Sequence, residues 1–462
     1  MRIQIKNVGQ IEDAAVELDG ITVIAGENNT GKSTIGKTVF ALLREMDEWK
    51  EIYFSMCAEN IKKVLENRSQ LLEEFCLNHT DARRRRTNRA NQLMNEYCCD
   101  GNFIISIEDH QIVGDHKVYD WLNEYCKGYV ALYRKNDIED LISRYRSYFN
   151  DWIEDAVREL DQIELEETTL QAEFIKMSFS SCFRGQYMKQ GKEYSQILFE
   201  NEEREAFLKL TDTDSQLSAP VRFESGVYFV ESPKTFDEIG LNGIAPEALK
   251  MLLIPNTLNA DVRKRSMVRY SGFDFNRLNL YKTPKEAEDI LVMLRKEMNG
   301  QADVFGKEGI KFKENDSKGA FYPQNVSTGV KALALFEYIV RMGVIKKKDI
   351  LIFDEPEINL HPQWQIVYAR ALVLLQKAYQ LTLIITTHSP YFLRAIECFT
   401  DKYESMEQLN VYYVSKDEEN NHSIQNMMKH EYGMTELYEI LSDAFDDLQE
   451  EIDGQYGVDD EQ

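Results

Sequence analysis

Gly26-Glu27-Asn28-Asn29-Thr30-Gly31-Lys32-Ser33-Thr34 is the stretch of this chain best suited to hold phosphate. Its spacing, Gly-x-x-x-x-Gly-Lys-Ser, lets backbone amides turn inward around phosphate oxygens, and a following helix presents its positive end to the same anion. In that arrangement Lys32 reaches the β- and γ-phosphates and the Ser33 hydroxyl ligates Mg²⁺. The flanks fit. Ile21-Thr22-Val23-Ile24 reads as a strand, and Ile35-Gly36-Lys37-Thr38-Val39-Phe40 as the start of a helix. A plain glycine turn with an exposed lysine is the competing reading, which the strand–loop–helix context disfavours.

Further candidates lie far down the chain. Asp349-Ile350-Leu351-Ile352-Phe353 is an apolar strand ending in Asp354-Glu355-Pro356. In open α/β sheets ligands bind outside the carboxyl ends of the strands, so acids there can stand beside a phosphate loop. Asp354 is expected to hold Mg²⁺, directly or through a water, and Glu355 to orient and polarise an attacking water. Leu381 to Thr387 repeats the pattern, a β-rich apolar run ending in hydroxyls and His388, placed to sense the γ-phosphate. Ser327-Thr328-Gly329 precedes a helix from Ala332 to Met342 and makes another anion-friendly helix start. Taken alone, simple helix capping accounts for it.

Strands and helices must position these groups. Residues 1–34 read as short strands around Ile3-Ile5, Ile11–Leu18 and Ile21–Ala25, then the loop, with a helix from about Gly31 through Trp49. From Glu51 to Arg222 helical patterns dominate, as at Ile61-Val64-Leu65, Leu71-Leu72-Phe75 and Ile138–Leu165, interrupted by strand-like Phe103–Ile107. No heptad persists long enough for a coiled-coil arm. Arg83-Arg84-Arg85-Arg86 is a basic block, read as a solvated face in preference to a phosphate-backbone contact. Val227–Val230 reads as a buried strand, and Ile310–Phe312 with Ala320–Tyr322 as a short hairpin.

The chain has 462 residues, 43% hydrophobic and 29% charged, which suits a globular protein of two or three domains. No apolar run approaches a membrane span, and Met1–Lys6 lacks a signal-peptide core, so a cytoplasmic protein is expected. Seven cysteines, Cys98-Cys99 adjacent and the rest scattered, form no metal spacing and are expected to be reduced. A net charge of −25 argues against a surface broadly adapted to nucleic acid, although a local patch remains compatible with it.

Taken in order, the glycine loop, Ser-x-Gly helix start, Asp-Glu strand end and strand-end histidine resemble the ABC-type ATPases, specifically the SMC, RecF and OLD group of head domains. Asp354-Glu355-Pro356-Glu357-Ile358-Asn359-Leu360-His361-Pro362 and Thr386-Thr387-His388-Ser389-Pro390 are similar to ATPases of anti-phage systems of the OLD, Septu and PARIS kind. The resemblance implies an α/β fold: an ABC-type P-loop NTPase head, a mixed sheet flanked by helices, carrying a large inserted helical lobe. Residues 1–45 and 225–400 would form the head, 46–224 the insert, and 401–462 a strand and helix extension with an acidic tail.

The same resemblance implies roles. Gly26 to Thr34 would bind ATP. Ser327, Thr328 and Gly329 would contact the γ-phosphate held by the opposite subunit, with Thr328 departing from the usual Ser-Gly-Gly. Asp354 would bind Mg²⁺, Glu355 would be the base, His388 the switch histidine, and Asn359–His361 a dimer-contacting loop. The glutamine loop has one candidate region, the strand end near Glu231. ATP would be sandwiched between two copies, giving a homodimer or a higher homo-oligomer. OLD nucleases carry a nuclease domain after the ATPase, and the 401–462 segment is short for one. A separate effector protein, a nuclease or toxin, is therefore the expected partner. A RecF-like DNA-repair ATPase that binds DNA directly is the alternative, and a non-hydrolysing nucleotide-sensing scaffold is a third reading.

Overall fold

The computed structural model describes residues 1–44, 104–106, 111–113, 167–201, 205–221, 225–231, 287–304, 310–317, 319–341, 343, 345–416 and 422–442. The chain divides into two compact units, one of Met1–Asp47 with Gln171–Gln462 and one of Glu48–Leu170. Arg83–Arg86, the helical patterns at Ile61–Phe75 and Ile138–Leu165, and the acidic tail from Asp446 onward lie outside the described residues.

In chain order the elements begin with β1 (Arg2–Val8), β2 (Ile11–Glu17), β3 (Ile21–Ala25) and helix α1 (32–44). The smaller unit contributes β4 (Ile104–Ser106) and β5 (Gln111–Val113), an antiparallel pair with Ile105 in register with Ile112. Next come α2 (Glu167–Cys182), β6 (Ser195–Glu200), β7 (Glu205–Leu210), β8 (Ser215–Leu217), β9 (Val227–Val230), α3 (Glu288–Met298), β10 (Gly300–Val304) and β11 (Ile310–Glu314). The chain continues through α4 (Thr328–Arg341), β12 (Ile350–Asp354), α5 (Pro362–Tyr379), β13 (Thr382–Thr387), α6 (Pro390–Lys402), β14 (Leu409–Lys416), β15 (His422–Asn426) and α7 (433–442).

The larger unit is built on a mixed sheet of order β15-β14-β3-β13-β12-β9. Its strands from β14 to β9 run parallel, and β15 is an antiparallel edge. The parallel strands read as continuous apolar runs because both faces are covered. Alternate residues show it. Val23, Leu351, Phe353, Leu383, Ile385 and Val411 face one core, shared with α3, α4, α5 and α6. Ile24, Ile350, Ile352, Ile384, Tyr412 and Val414 face the other, shared with α1, α2 and the second sheet. Phe40 of α1 meets Phe229 of β9 edge-to-face, with ring centroids 5.7 Å apart, and so pins the helix across the sheet. The fold is the α/β architecture that the sequence implies, a mixed sheet with helices on it.

The second sheet corrects one expectation. Residues 195–217, expected within a helical insert reaching 224, form β6, β7 and β8, in an antiparallel sheet of order β2-β1-β6-β7-β8. Ile197 and Phe199 alternate with half-exposed neighbours and pair with Ile5 and Ile3 of β1. This segment therefore lies in the larger unit, and the smaller unit ends at Leu170. The expected 310–322 hairpin is present in its shortest form, Phe312 and Phe321 exchanging two backbone hydrogen bonds. Beyond that bridge, β11 pairs along its length with β10. Residues 401–462 supply β14 and β15 to the central sheet itself, β14 directly beside β3.

Candidate functional site

Strand register assembles the site. Ala25 at the end of β3 pairs with Thr387, and Thr386 pairs with Asp354 at the end of β12. With β13 lying between β3 and β12, the glycine loop, the Asp354-Glu355 turn and His388 all leave the sheet on one rim. That rim is the carboxyl end, where open α/β sheets take ligands.

The loop's geometry explains its composition. Gly31 has φ +96°, in the region open to glycine, and a Cβ there would lie 2.8 Å from Ile11 Cδ1. At Gly26 a Cβ would come within 2.6 Å of the Val414 carbonyl oxygen. Thr30 Oγ1 donates to the Glu27 carbonyl at 2.9 Å, and Gln10 Nε2 to Asn29 Oδ1 at 2.9 Å. Glu27, Asn28 and Asn29 are exposed at the mouth, and Ser33 and Thr34 open α1. Lys32, only 3% exposed, donates through Nζ to the carbonyls of Gly26 at 2.9 Å and Glu27 at 2.6 Å. Burial lowers its pKa, opposed by Glu355, whose Oε1 stands 3.6 Å away.

Asp354 accepts from two hydroxyls at one oxygen, Ser33 Oγ at 2.9 Å and Thr386 Oγ1 at 2.6 Å. Burial raises its pKa, and these two hydrogen bonds oppose the rise. Glu355 adopts φ +49°, a left-handed backbone rare for a residue with a Cβ. Its amide is held there by the Thr386 carbonyl at 3.1 Å and by Thr386 Oγ1 at 3.0 Å. Such strain concentrates at functional sites and persists where the surroundings over-determine it. His388 Nδ1 lies 3.6 Å from Glu355 Oε1 and 3.6 Å from Glu357 Oε1, ion contacts longer than hydrogen bonds. The His388 contact, followed by the charge of Lys32, holds the Glu355 carboxyl below its ordinary value against burial, and Glu355 in turn raises the imidazole.

The Ser327–Gly329 segment does not join this cluster. Ser327 caps α4, accepting from the Val330 amide at 3.4 Å, and Gly329 is buried where a Cβ would meet Trp364 Cζ3 at 2.8 Å. Among the described residues no hydrogen bond links Ser327, Thr328 or Gly329 to the glycine loop. Glu231 follows β9, pairs with Lys37 of α1 at 3.3 Å and lines a small pocket beside Asp354 and Glu355. Asn359 lines a cleft of about 490 Å³ together with Asn28, Glu355, Glu357, Gln365 and His388.

Sequence reasoning assigned no task to Thr386, although hydroxyls at that strand end were visible. Glu357 was missed as well. It is 2% exposed, and its Oε1 accepts from Thr387 Oγ1 at 2.5 Å and from the His388 amide at 3.1 Å.

A hydroxyl and a carboxylate oxygen 2.9 Å apart are hard oxygen ligands of the kind Mg²⁺ takes, with substrate phosphates and water completing its shell. Among the described residues no three of His, Cys, Asp and Glu gather as a separate metal site. A buried lysine and a glycine loop opening a helix suit the phosphates. The residues fit both.

A glycine loop between a strand and a helix, with carboxylates at the end of a parallel strand on the same rim, is an arrangement that suits a nucleotide's phosphates. Residues 189–394 match a family model described as "AAA domain, putative AbiEii toxin, Type IV TA system". "Protein ea59" of Escherichia phage lambda is 34% identical over 92 residues, covering 20% of this chain and 17% of that protein's length. The SMC head domain from Thermotoga maritima aligns over 92% of this chain and 97% of its own, at 11% identity and a TM-score of 0.37. An Smc head domain from Pyrococcus furiosus, bound to the C-terminal domain of ScpA, aligns over 92% and 95%, at 10% identity and a TM-score of 0.40. Among the described residues no helix is long and apolar enough to cross a membrane.

Proposed function

We propose that this protein is a Mg²⁺-dependent ATP hydrolase that closes around ATP as a homodimer or larger homo-oligomer and gates a separate effector in anti-phage defence. One observation carries the hydrolase reading: Lys32, Ser33, Asp354, Glu355 and His388 meet within hydrogen-bond or ion-contact distance on one rim of the sheet.

The glycine-loop amides and α1 would receive the phosphates, and Lys32 would balance their charge. Ser33 and Asp354 would hold Mg²⁺, which when bound supplies electrostatic stabilisation of the phosphate oxygens. Glu355 would accept a hydrogen bond from the water that attacks the γ-phosphorus, orienting it in line with the leaving ADP oxygen. Lys32 Nζ stands 3.6 Å from Glu355 Oε1, so a phosphate at the loop would compete for the lysine and leave the carboxylate to water. His388, with a side chain 39% exposed toward the cleft, would meet the γ-phosphate.

A second copy fits the same face. Ile358, Ile366 and Tyr391 are exposed around the cleft. Ser327, Thr328 and Gly329 stand apart from the loop of their own chain, as expected for groups that complete a neighbour's site. The family description, which names a toxin–antitoxin system, supports a defence setting over direct DNA repair.

The test is Glu355→Gln, compared with wild type for phosphate release and for size in the presence of Mg²⁺ and ATP. The substitution should abolish release and accumulate an ATP-bound dimer. Unchanged turnover removes Glu355 from its role, and a monomer at saturating ATP removes the sandwich. Co-purification with the product of a neighbouring gene tests the effector.

A further inference from the structure

We propose that His422 is a positioning residue for nucleotide, bracing the glycine loop from the sheet's edge strand. The proposal rests on the nucleotide reading of that loop.

Phosphate binding requires the loop's amides to point inward, which turns carbonyls outward, where each buried one needs a donor. Thr30 sits at this turn and is 3% exposed. Its carbonyl oxygen lies 2.5 Å from His422 Nδ1, across 392 residues of sequence. A carbonyl only accepts, so Nδ1 carries the proton, and the contact fixes the imidazole's tautomer.

His422 is itself held. It opens β15, pairs with Lys416 of β14 and is 8% exposed. Next to it β14 supports the loop's other end, where the Val414 carbonyl leaves Gly26 no room for a Cβ. The β14–β15 edge thus backs the loop from Gly26 to Thr30. The loop's other braces belong to the loop or to flexible surface groups: Thr30 Oγ1 on Glu27, Lys32 on Gly26 and Glu27, and Gln10 on Asn29. Lys32 must share its donors with any phosphate that binds. The imidazole lies on the outer side of the loop and keeps its bond throughout.

A brace on the loop backbone acts on the phosphates shared by ATP and ADP. It should change affinity for both equally and leave the chemical step alone. Loss of this hydrogen bond, with Thr30 left unpaired, should weaken binding by about tenfold.

The experiment measures Mg²⁺-ATP and Mg²⁺-ADP affinity by calorimetry, together with kcat at saturating ATP, for the full chain. His422→Ala and His422→Gln should each weaken both nucleotides by about tenfold. His422→Asn places an N–H near the Nδ1 position and should stay within about threefold of wild type, with kcat unchanged throughout. Wild-type affinity in His422→Ala, or a His422→Asn variant as weak as His422→Ala, overturns the brace. Affinity lost in Lys32→Ala but kept in His422→Ala overturns it alone. A wild-type chain that binds neither nucleotide overturns the nucleotide reading and the brace with it.

Discussion

Ser33 and Asp354 lie 321 residues apart in the chain, yet Ser33 Oγ donates to Asp354 Oδ1 at 2.9 Å. The register Asp354↔Thr386 adds a second hydroxyl to the same oxygen and leaves the carboxylate little freedom to turn. Three segments with no local relationship thereby share one oxygen atom.

Thr386→Val keeps the volume and β-branching of this fully buried side chain and removes its hydroxyl. Asp354 then loses an orienting donor, and the Glu355 amide loses one of its two acceptors. Changes to groups that orient a metal ligand typically cost about 10–100-fold in metal affinity or activity. The expected result is a loss of turnover in that range, partly recovered at high Mg²⁺. A Mg²⁺ titration superimposable on wild type removes Thr386 from the site.

Glu355 at φ +49° makes a separate prediction about stability. Glu355→Ala and Glu355→Gly both delete the carboxylate and should both lack turnover. They differ only in the Cβ that the left-handed backbone disfavours. The glycine variant should be the more stable of the two, by about 1 kcal/mol in urea denaturation. Equal stabilities would show that the strained backbone is not kept in solution.

Glu357 is buried with Oε1 bonded twice, while Oε2 has no hydrogen-bond partner among the described residues. Burial raises its pKa, against the pull of its hydrogen bonds and His388. An acid with a raised folded pKa holds its proton more tightly when folded, so the folded state loses stability as pH rises through that value. Glu357→Gln keeps the acceptor oxygen and carries no charge. It should therefore match or exceed wild-type stability at pH 7.5, with the gap closing as pH falls toward and below 4.5. A glutamine variant markedly less stable at pH 7.5 and level with wild type in acid would show that the His388 contact outweighs burial.

The glycine loop and both strand-end motifs were legible because each is a local pattern, an apolar run ending in polar or charged groups. Their convergence followed from the rule that α/β sheets bind ligands at carboxyl ends. Residues 195–217 were not legible as strands. Leu198 faces outward among buried Ile197 and Phe199, which blurs the alternation, and the strand exists through pairing with β1. Glu357 reads as one more acid in an acidic turn, and only β13 alongside makes it buried. His422 follows Asn420 and Asn421 in an ordinary polar stretch. Its role depends on the carbonyl of a loop at the opposite end of the chain.

The Glu355–His388 contact has a pH window whose limits follow from the two shifts. Glu355 is lowered from 4.5, so its contribution is present above that value and is lost as pH falls through the lower folded pKa. His388 is raised from 6.5, so its contribution is complete below that value and is lost as pH rises through the higher folded pKa. Both are therefore complete only between 4.5 and 6.5. The side chains are 21% and 39% exposed, so solvent screens the contact and the effect should be small and salt-sensitive. In nucleotide-free protein without Mg²⁺, the melting temperature of wild type minus that of His388→Gln should peak inside this window. It should shrink on both sides and flatten at high salt. A difference constant across pH would assign His388 to packing instead of to a charge contact with Glu355.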